Sequence, residues 1–233
     1  MFGLFLMINF VCWLWRSQNR TPYNPSHVNA LSRMLKDHVK QDHRLICITD
    51  LPVEVECEKF PLWDDKDFPR HRGCYKRLKL FDPEISEQIG GRIFSLDLDI
   101  VIKDDISKLI DEEEDFQGMK GTVSHVNGSA WTFKAGTCHE IWECFLKYNG
   151  HKPPKNKVGH HGTDQSIISY AKEKCPTWNG NDDGVWAYKT LRRLNKIVDD
   201  WKLVAFPGGQ NPWDNCDASF MFQQLRNQYL RYL

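Results

Sequence analysis

The chain carries no excess of either charge. Its 31 Lys and Arg balance 31 Asp and Glu, which argues against nucleic-acid binding, since that calls for a basic face. No run reaches the roughly 18 apolar residues that cross a bilayer as a helix. The apolar opening, Met1–Trp15, is interrupted by Asn9, has no basic residue before it and lacks a small-residue cleavage site. A secretory leader needs a positive start and such a site. The expectation is a cytoplasmic protein without a transmembrane segment, with residues 1–6 an extension upstream of a start at Met7. No CxxC pair occurs among Cys12, Cys47, Cys57, Cys74, Cys138, Cys144, Cys175 and Cys216, which excludes a zinc ribbon and a dithiol redox motif. Buried free thiols of a reducing compartment are expected. Repeats, low-complexity tracts and long linkers are also missing, so residues 1–233 read as one domain with a core of its own.

Aromatic residues are plentiful: nine Trp, seven Tyr and thirteen Phe, enough to line a pocket as well as a core. Strands and helices alternate along the chain, the pattern of an α/β layered domain. Ile8–Leu14 reads as a fully buried strand. Asn24 before Pro25 marks a helix start, and apolar residues at helical spacing carry that helix to about Lys40. Arg44–Thr49 and Val53–Cys57 read as the next strands, and Leu62–Arg72 as a surface crossing. Gly73–Phe81 reads as a helix stopped by Pro83. Arg92–Leu96 is a strand, and the acidic run Asp111–Asp115 a solvated face. Thr122–Val126 and Ala130–Phe133 are expected to pair across Asn127-Gly128, a hairpin signal. Thr137–Tyr148 and Thr163–Lys174 follow as helices, the latter capped by Thr163. Asn179–Gly184 is a turn, Lys202–Phe206 a late strand and Asp217–Leu233 a terminal helix.

The segment Phe94-Ser95-Leu96-Asp97-Leu98-Asp99-Ile100-Val101-Ile102 sets two carboxylates at the end of an apolar strand. Strand alternation carried through them puts Asp97 and Asp99 on one face. Paired oxygen ligands suit Mg2+ or Mn2+. Such an ion holds a diphosphate and stabilises it as a leaving group. Two solvated aspartates at a strand end explain the same residues, and the motif alone does not choose between these readings.

Further motifs fall in order around this one. Tyr75-Lys76-Arg77-Leu78-Lys79-Leu80 precedes it, Asn127-Gly128-Ser129 and Thr163-Asp164-Gln165-Ser166-Ile167 follow, and Gly208 and Pro212-Trp213 come last. Singly, Arg77 reads as a surface helix residue, Asp164 as a first-turn charge favoured by the helix dipole and Asn127 as a turn residue. In this order, from about Ile8 to Trp213, the chain resembles glycosyltransferases of the family 8 type, which have the nucleotide-sugar-binding GT-A fold. The resemblance implies a twisted, mostly parallel sheet flanked by helices in a single domain. It implies that Arg77 contacts the donor sugar or diphosphate, and that Asn127 and Gly128 lie against the donor. Cys12 and Trp13 would hold the base and ribose, with Leu98 and Gly208 also at the donor. Asp164 and Gln165 would be catalytic, Asp164 facing the transferred sugar.

One departure stands out. The family's late loop carries a His that completes the metal site and a Lys before Pro-Trp; those positions read Ala205 (or Pro207) and Asn211 here. Asp214 is the best substitute ligand beside Asp97 and Asp99, and Asp217 a weaker one that suits a helix cap better. The reading is a metal-dependent, retaining glycosyltransferase. It would move a sugar from a nucleotide-diphosphate donor, a UDP-sugar, to an acceptor that is a glycan, lipid or protein. That acceptor would be recognised by Leu62–Arg72, Lys152–His161 and the C-terminal region. Two rivals stay open: a phosphohydrolase of the haloacid dehalogenase type, with the first Asp as nucleophile, and a nucleotide-sugar binder without catalysis.

Overall fold

The computed structural model describes residues 7–16, 23–63, 73–148, 164–195, 199–214 and 219–233. Residues 1–6, residues 64–72 of the surface crossing, residues 152–161, Thr163 and Asp217 lie outside the described residues.

Ten strands are found among the described residues: β1 (Ile8–Leu14), β2 (His43–Thr49), β3 (Glu58–Pro61), β4 (Arg92–Leu96), β5 (Ile100–Ile102), β6 (Phe116–Lys120), β7 (Val126–Lys134), β8 (Thr177–Trp178), β9 (Val185–Ala187) and β10 (Leu203–Ala205). Seven form one sheet in the order β3-β2-β1-β4-β7-β6-β8, and three form a smaller one, β5-β10-β9. In the large sheet only the pairings of β7, with β4 and with β6, are antiparallel. β1 is buried along its whole length between two parallel neighbours, β2 and β4, which explains a strand without a charged residue.

Alternation along β1 divides the core. Ile8, Phe10, Cys12 and Leu14 face one apolar cluster, with Leu31, Leu96 and Phe222. Val11 and Trp13 face another, with Leu78, Phe81, Trp131 and Ile167. The site lies on the Trp13 side.

The helix after β1 is α1 (Pro25–His38), where Asn24 accepts from the Ser26 N–H and Pro25 opens the first turn. Gly73–Phe81 is a 3₁₀ helix. Pro83 does not merely stop it: with Asp82 as N-cap it begins α2 (Pro83–Ile89), because proline at the first helical position loses no hydrogen bond. The third strand is Glu58–Pro61 rather than Val53–Cys57. The earlier segment is drawn away from the sheet by the Val53 N–H to the Leu51 carbonyl and the Glu56 N–H to Asn29 Oδ1. Asn127-Gly128 is not a hairpin turn either. It lies inside β7, and the reversal falls at 121–125, where the Gly121 N–H meets the His125 carbonyl at 3.0 Å. A Cβ on Gly121 would stand 2.2 Å from the Ser124 carbonyl oxygen, so only glycine fits that turn.

The remaining helices are α3 (His139–Tyr148), α4 (Asp164–Ala171), α5 (Gly180–Asp183), α6 (Tyr188–Leu194) and α7 (Phe220–Leu230). The run Asn179–Gly184 is thus α5 with its caps, and α7 starts from Ser219. The Asp111–Asp115 run is exposed but for Glu114, and buried Arg92 donates to the Asp111 and Glu114 carbonyls beneath it. Ile141 and Phe145 of α3 face inward as expected, while Cys144 is half-buried. Cys12, Cys47 and Cys138 are buried free thiols. No described helix is long and apolar enough to cross a membrane.

Candidate functional site

Arg77 is the hub. It comes off the 3₁₀ helix on the Trp13 side of the sheet and is only 3% exposed. Its Nη1 pairs with Asp97 Oδ1 at 2.8 Å and with Asp164 Oδ2 at 3.3 Å. Its Nη2 donates to the Gly128 carbonyl and, at 3.4 Å, to Ser95 Oγ. The guanidinium carbon lies 5.7 Å from the Trp13 ring and 5.9 Å from Trp131, within cation–π range of both. Burial opposes the charge, yet Asp97 and then Asp164 raise the Arg77 pKa above even its usual range. One fixed cation therefore ties the end of β4 to the start of α4 and to the first residues of β7.

Each element delivers its residue for a local reason. β4 ends at Leu96, and the Asp97 N–H still pairs with the Ser129 carbonyl at 2.9 Å. Asp164 opens α4, where the dipole favours an anion. Gly128 brings bare backbone against Asp164: a Cβ there would lie 3.3 Å from Asp164 Oδ2. Its N–H donates to Gln165 Oε1 at 3.3 Å. Trp13 Nε1 donates to Ser95 Oγ at 3.0 Å, fixing the indole beside the guanidinium.

The structure thus gathers Trp13, Arg77, Asp97, Gly128, Asp164 and Gln165. Other predicted residues stand apart. Cys12 and Leu98 have their side chains in the apolar cluster on the α1 side, so neither presents a side chain to this site. The alternation that took Cys12 there is the one that brought Trp13 to the site. The Asn127 side chain accepts from the Ser129 N–H of its own strand. Ser95 and Trp131 are the partners that sequence reasoning missed. Ser95, a polar residue inside an apolar strand, was the available signal.

Asp97 and Asp99 do not share a strand face, because residues 97–99 form a bend between two sheets. Asp97 reaches Arg77. Asp99 is buried beside Tyr229 of α7, whose phenol is pushed far up by burial and then by the Asp99 carboxylate. The late loop begins directly at this bend: Ala205 pairs with Ile100, and the Phe206 N–H donates to the Asp99 carbonyl at 3.0 Å. Gly208 is exposed in that loop. Asp214 closes it, its Oδ2 accepting from the backbone N–H and Nδ2 of Asn211 at 2.9 and 3.1 Å.

Among the described residues no three His, Cys, Asp or Glu side chains are arranged to hold a metal ion. The trio Asp97, Asp99 and Asp214 is therefore not gathered, and the turn occupies the Asp214 carboxylate. Asp97 and Asp99 offer the oxygen donors that a hard divalent cation takes, but the bend turns their side chains to different neighbours, Arg77 and Tyr229. The bend and its surroundings carry three carboxylates, Asp97, Asp99 and Asp164, against one guanidinium. That negative excess suits a hard divalent cation.

No protein-family model matches the chain, and no curated protein is similar to it in sequence. Solved structures do share its fold. A galactosyltransferase, LgtC, in complex with donor and acceptor sugar analogues superposes with a TM-score of 0.63 over 96% of both chains, at 11% identity. The glycosyltransferase GlyE of Streptococcus pneumoniae TIGR4 gives 0.64 at 11% identity, over 96% of this chain and 60% of its own. The bifunctional glycosyltransferase WbbM gives 0.63 at 10% identity, over 99% of this chain and half of its own. The GT-A-like α/β fold expected from the sequence is borne out.

Proposed function

We propose that the protein is a glycosyltransferase that takes a sugar from a nucleotide-diphosphate donor, a UDP-sugar, and passes it to a glycan, lipid or protein acceptor. The observation that carries this reading is the Arg77 bridge between Asp97 and Asp164, set in a fold shared with LgtC and GlyE. Asp97 and Asp99 would hold Mn2+ or Mg2+ together with the donor diphosphate. When bound, that ion offsets the charge of the departing diphosphate. Arg77 keeps Asp97 in one orientation and gives the buried Asp164 carboxylate a cationic partner. Asp164, against the bare backbone of Gly128, is the group that meets the transferred sugar, and Gln165 is fixed beside it by the Gly128 N–H.

The test is a melting-temperature series with UDP-sugars, with and without manganese. A ligand at 100 times its Kd stabilises by about 2.7 kcal/mol, so specific donors should raise the melting temperature by several degrees, and only with the metal. Asp97→Ala and Asp99→Ala should each abolish the metal-dependent rise while still unfolding in one cooperative transition when free. A full response in either variant would remove that residue from the metal site.

Gly128→Ala probes the same geometry more gently. The added methyl would force the Asp164 carboxylate to give by a few tenths of an ångström. Transfer should fall roughly tenfold, because small misplacements of reacting groups are costly, with donor affinity nearly unchanged. Normal turnover in the Gly128→Ala variant would show that the close approach is only packing.

A further inference from the structure

The loop Phe206–Asp214 leaves the Asp99 bend without a basic residue of its own. A cation reaches it from α6. The Lys189 ammonium lies over Gly208: a Cβ built on that glycine would stand 3.1 Å from Lys189 Nζ. Gly208 and Gly209 hold φ of +79° and +104°, and nothing comes within 4 Å of a Cβ on Gly209. The ammonium therefore stands beside bare, exposed backbone at the edge of open space. Two contacts fix α6 against the loop. The Tyr188 and Phe206 rings stack at 4.8 Å, and Arg192 Nη1 donates to Gln210 Oε1 at 3.3 Å. Among the described residues Lys189 has no carboxylate partner, whereas the deeper cation, Arg77, has two.

We propose that Lys189 is the diphosphate-binding cation of this site, supplied by α6 across the Gly208-Gly209 turn. The proposal rests on the nucleotide-sugar reading above. The chain of contacts is short: the Asp99 carbonyl holds the Phe206 N–H, the Phe206 ring holds Tyr188, and Lys189 is the next residue. A diphosphate held at the Asp97–Asp99 bend meets a mobile, strongly hydrated point charge suited to phosphate oxygens. Glycine at 208 is what lets that ammonium lie so close to the loop. Asn211 does not serve in its place, because it is buried and its Nδ2 is bound to Asp214.

The experiment is calorimetry with UDP and with inorganic pyrophosphate in magnesium buffer, on the wild type, Lys189→Gln and Lys189→Arg. Lys189→Gln should weaken both ligands roughly 10- to 100-fold, the scale of a lost charge-assisted contact. Its binding should also depend less on salt. The free variant should melt like the wild type, since Lys189 is exposed. Lys189→Arg should stay within a few-fold of the wild type. A wild type that binds UDP, with Lys189→Gln within twofold of it, would overturn the Lys189 assignment and leave the nucleotide-sugar reading standing. An equal loss in Lys189→Arg and Lys189→Gln would also overturn the assignment, because charge would not be what matters. A wild type that binds neither probe would overturn the nucleotide-sugar reading, and this assignment with it.

Discussion

Arg77→Met should destabilise the protein by about 3–5 kcal/mol, the cost of stripping one partner from a buried charge network, and should leave no measurable transfer. The loss does not come from the intrinsic worth of the ion pairs, because buried pairs often only break even against apolar packing. It comes from what is left behind. Asp164 has a side chain only 6% exposed and faces Arg77 at 3.3 Å. Without the guanidinium its charge loses the cation that offsets its burial. The Gly128 carbonyl and Ser95 hydroxyl lose a donor as well. Methionine restores volume between Trp13 and Trp131, so a cavity is not the main cost. Arg77→Lys separates charge from shape: one ammonium cannot meet Asp97, Asp164 and the Gly128 carbonyl together, so it should fall between the wild type and Arg77→Met. Urea unfolding measures both. A loss below about 1 kcal/mol in Arg77→Met would mean that water or rearrangement compensates Asp164, and that Arg77 is not the hub.

Asp164→Asn is expected to separate binding from chemistry. The substitution keeps the size and position of the side chain against Gly128 but removes its charge. Because Arg77 retains Asp97 at 2.8 Å, the bend that would hold the diphosphate stays in place. UDP affinity should therefore change by less than about threefold. Transfer should drop on the order of a hundred- to a thousandfold, as when one electrostatic contact to the reacting centre is lost. The discriminating readout is turnover at saturating donor against the Kd of UDP. If both fall together, Asp164 acts by supporting α4 and Arg77 rather than on the sugar.

Much of this arrangement was legible from local patterns. β1, β2 and β4 were marked by short apolar runs, and α1 by Asn24 before Pro25. Asp97, Arg77 and Asp164 were each visible as polar residues in a meaningful order. What the pattern could not show was how they meet. That one arginine would serve both aspartates depends on the Gly73–Phe81 helix crossing the sheet face beside β7, a long-range fact with no local signature. Asn127-Gly128 misled because the dipeptide favours tight turns. Here tertiary demand won: the close approach of Asp164 favours a residue without a side chain, and β7 has nine residues to pair across. Cys12 and Trp13 look equally able to face a ligand in sequence, and only the packing says which face is which. Asp99 turns away from Asp97 because strand alternation ends with the last residue of β4. Lys189 lies in a helix that was not anticipated, and its role is set by the glycine it covers.

The small sheet gives the site a place in time. β5 comes from the first half of the chain, and its partner β10 arrives only after β9 and α6 have been made. A nascent chain can pair β1, β2 and β4 as soon as Leu96 has been made. The bend at Asp99 must wait for the Phe206 N–H and for Tyr229 near the C-terminal end. Contacts of such separation form late and slowly. The protein should therefore acquire its scaffold before its ligand affinity, and a chain cut short ahead of Leu203 would hold the arginine and both aspartates that it bridges without the loop that completes their surroundings.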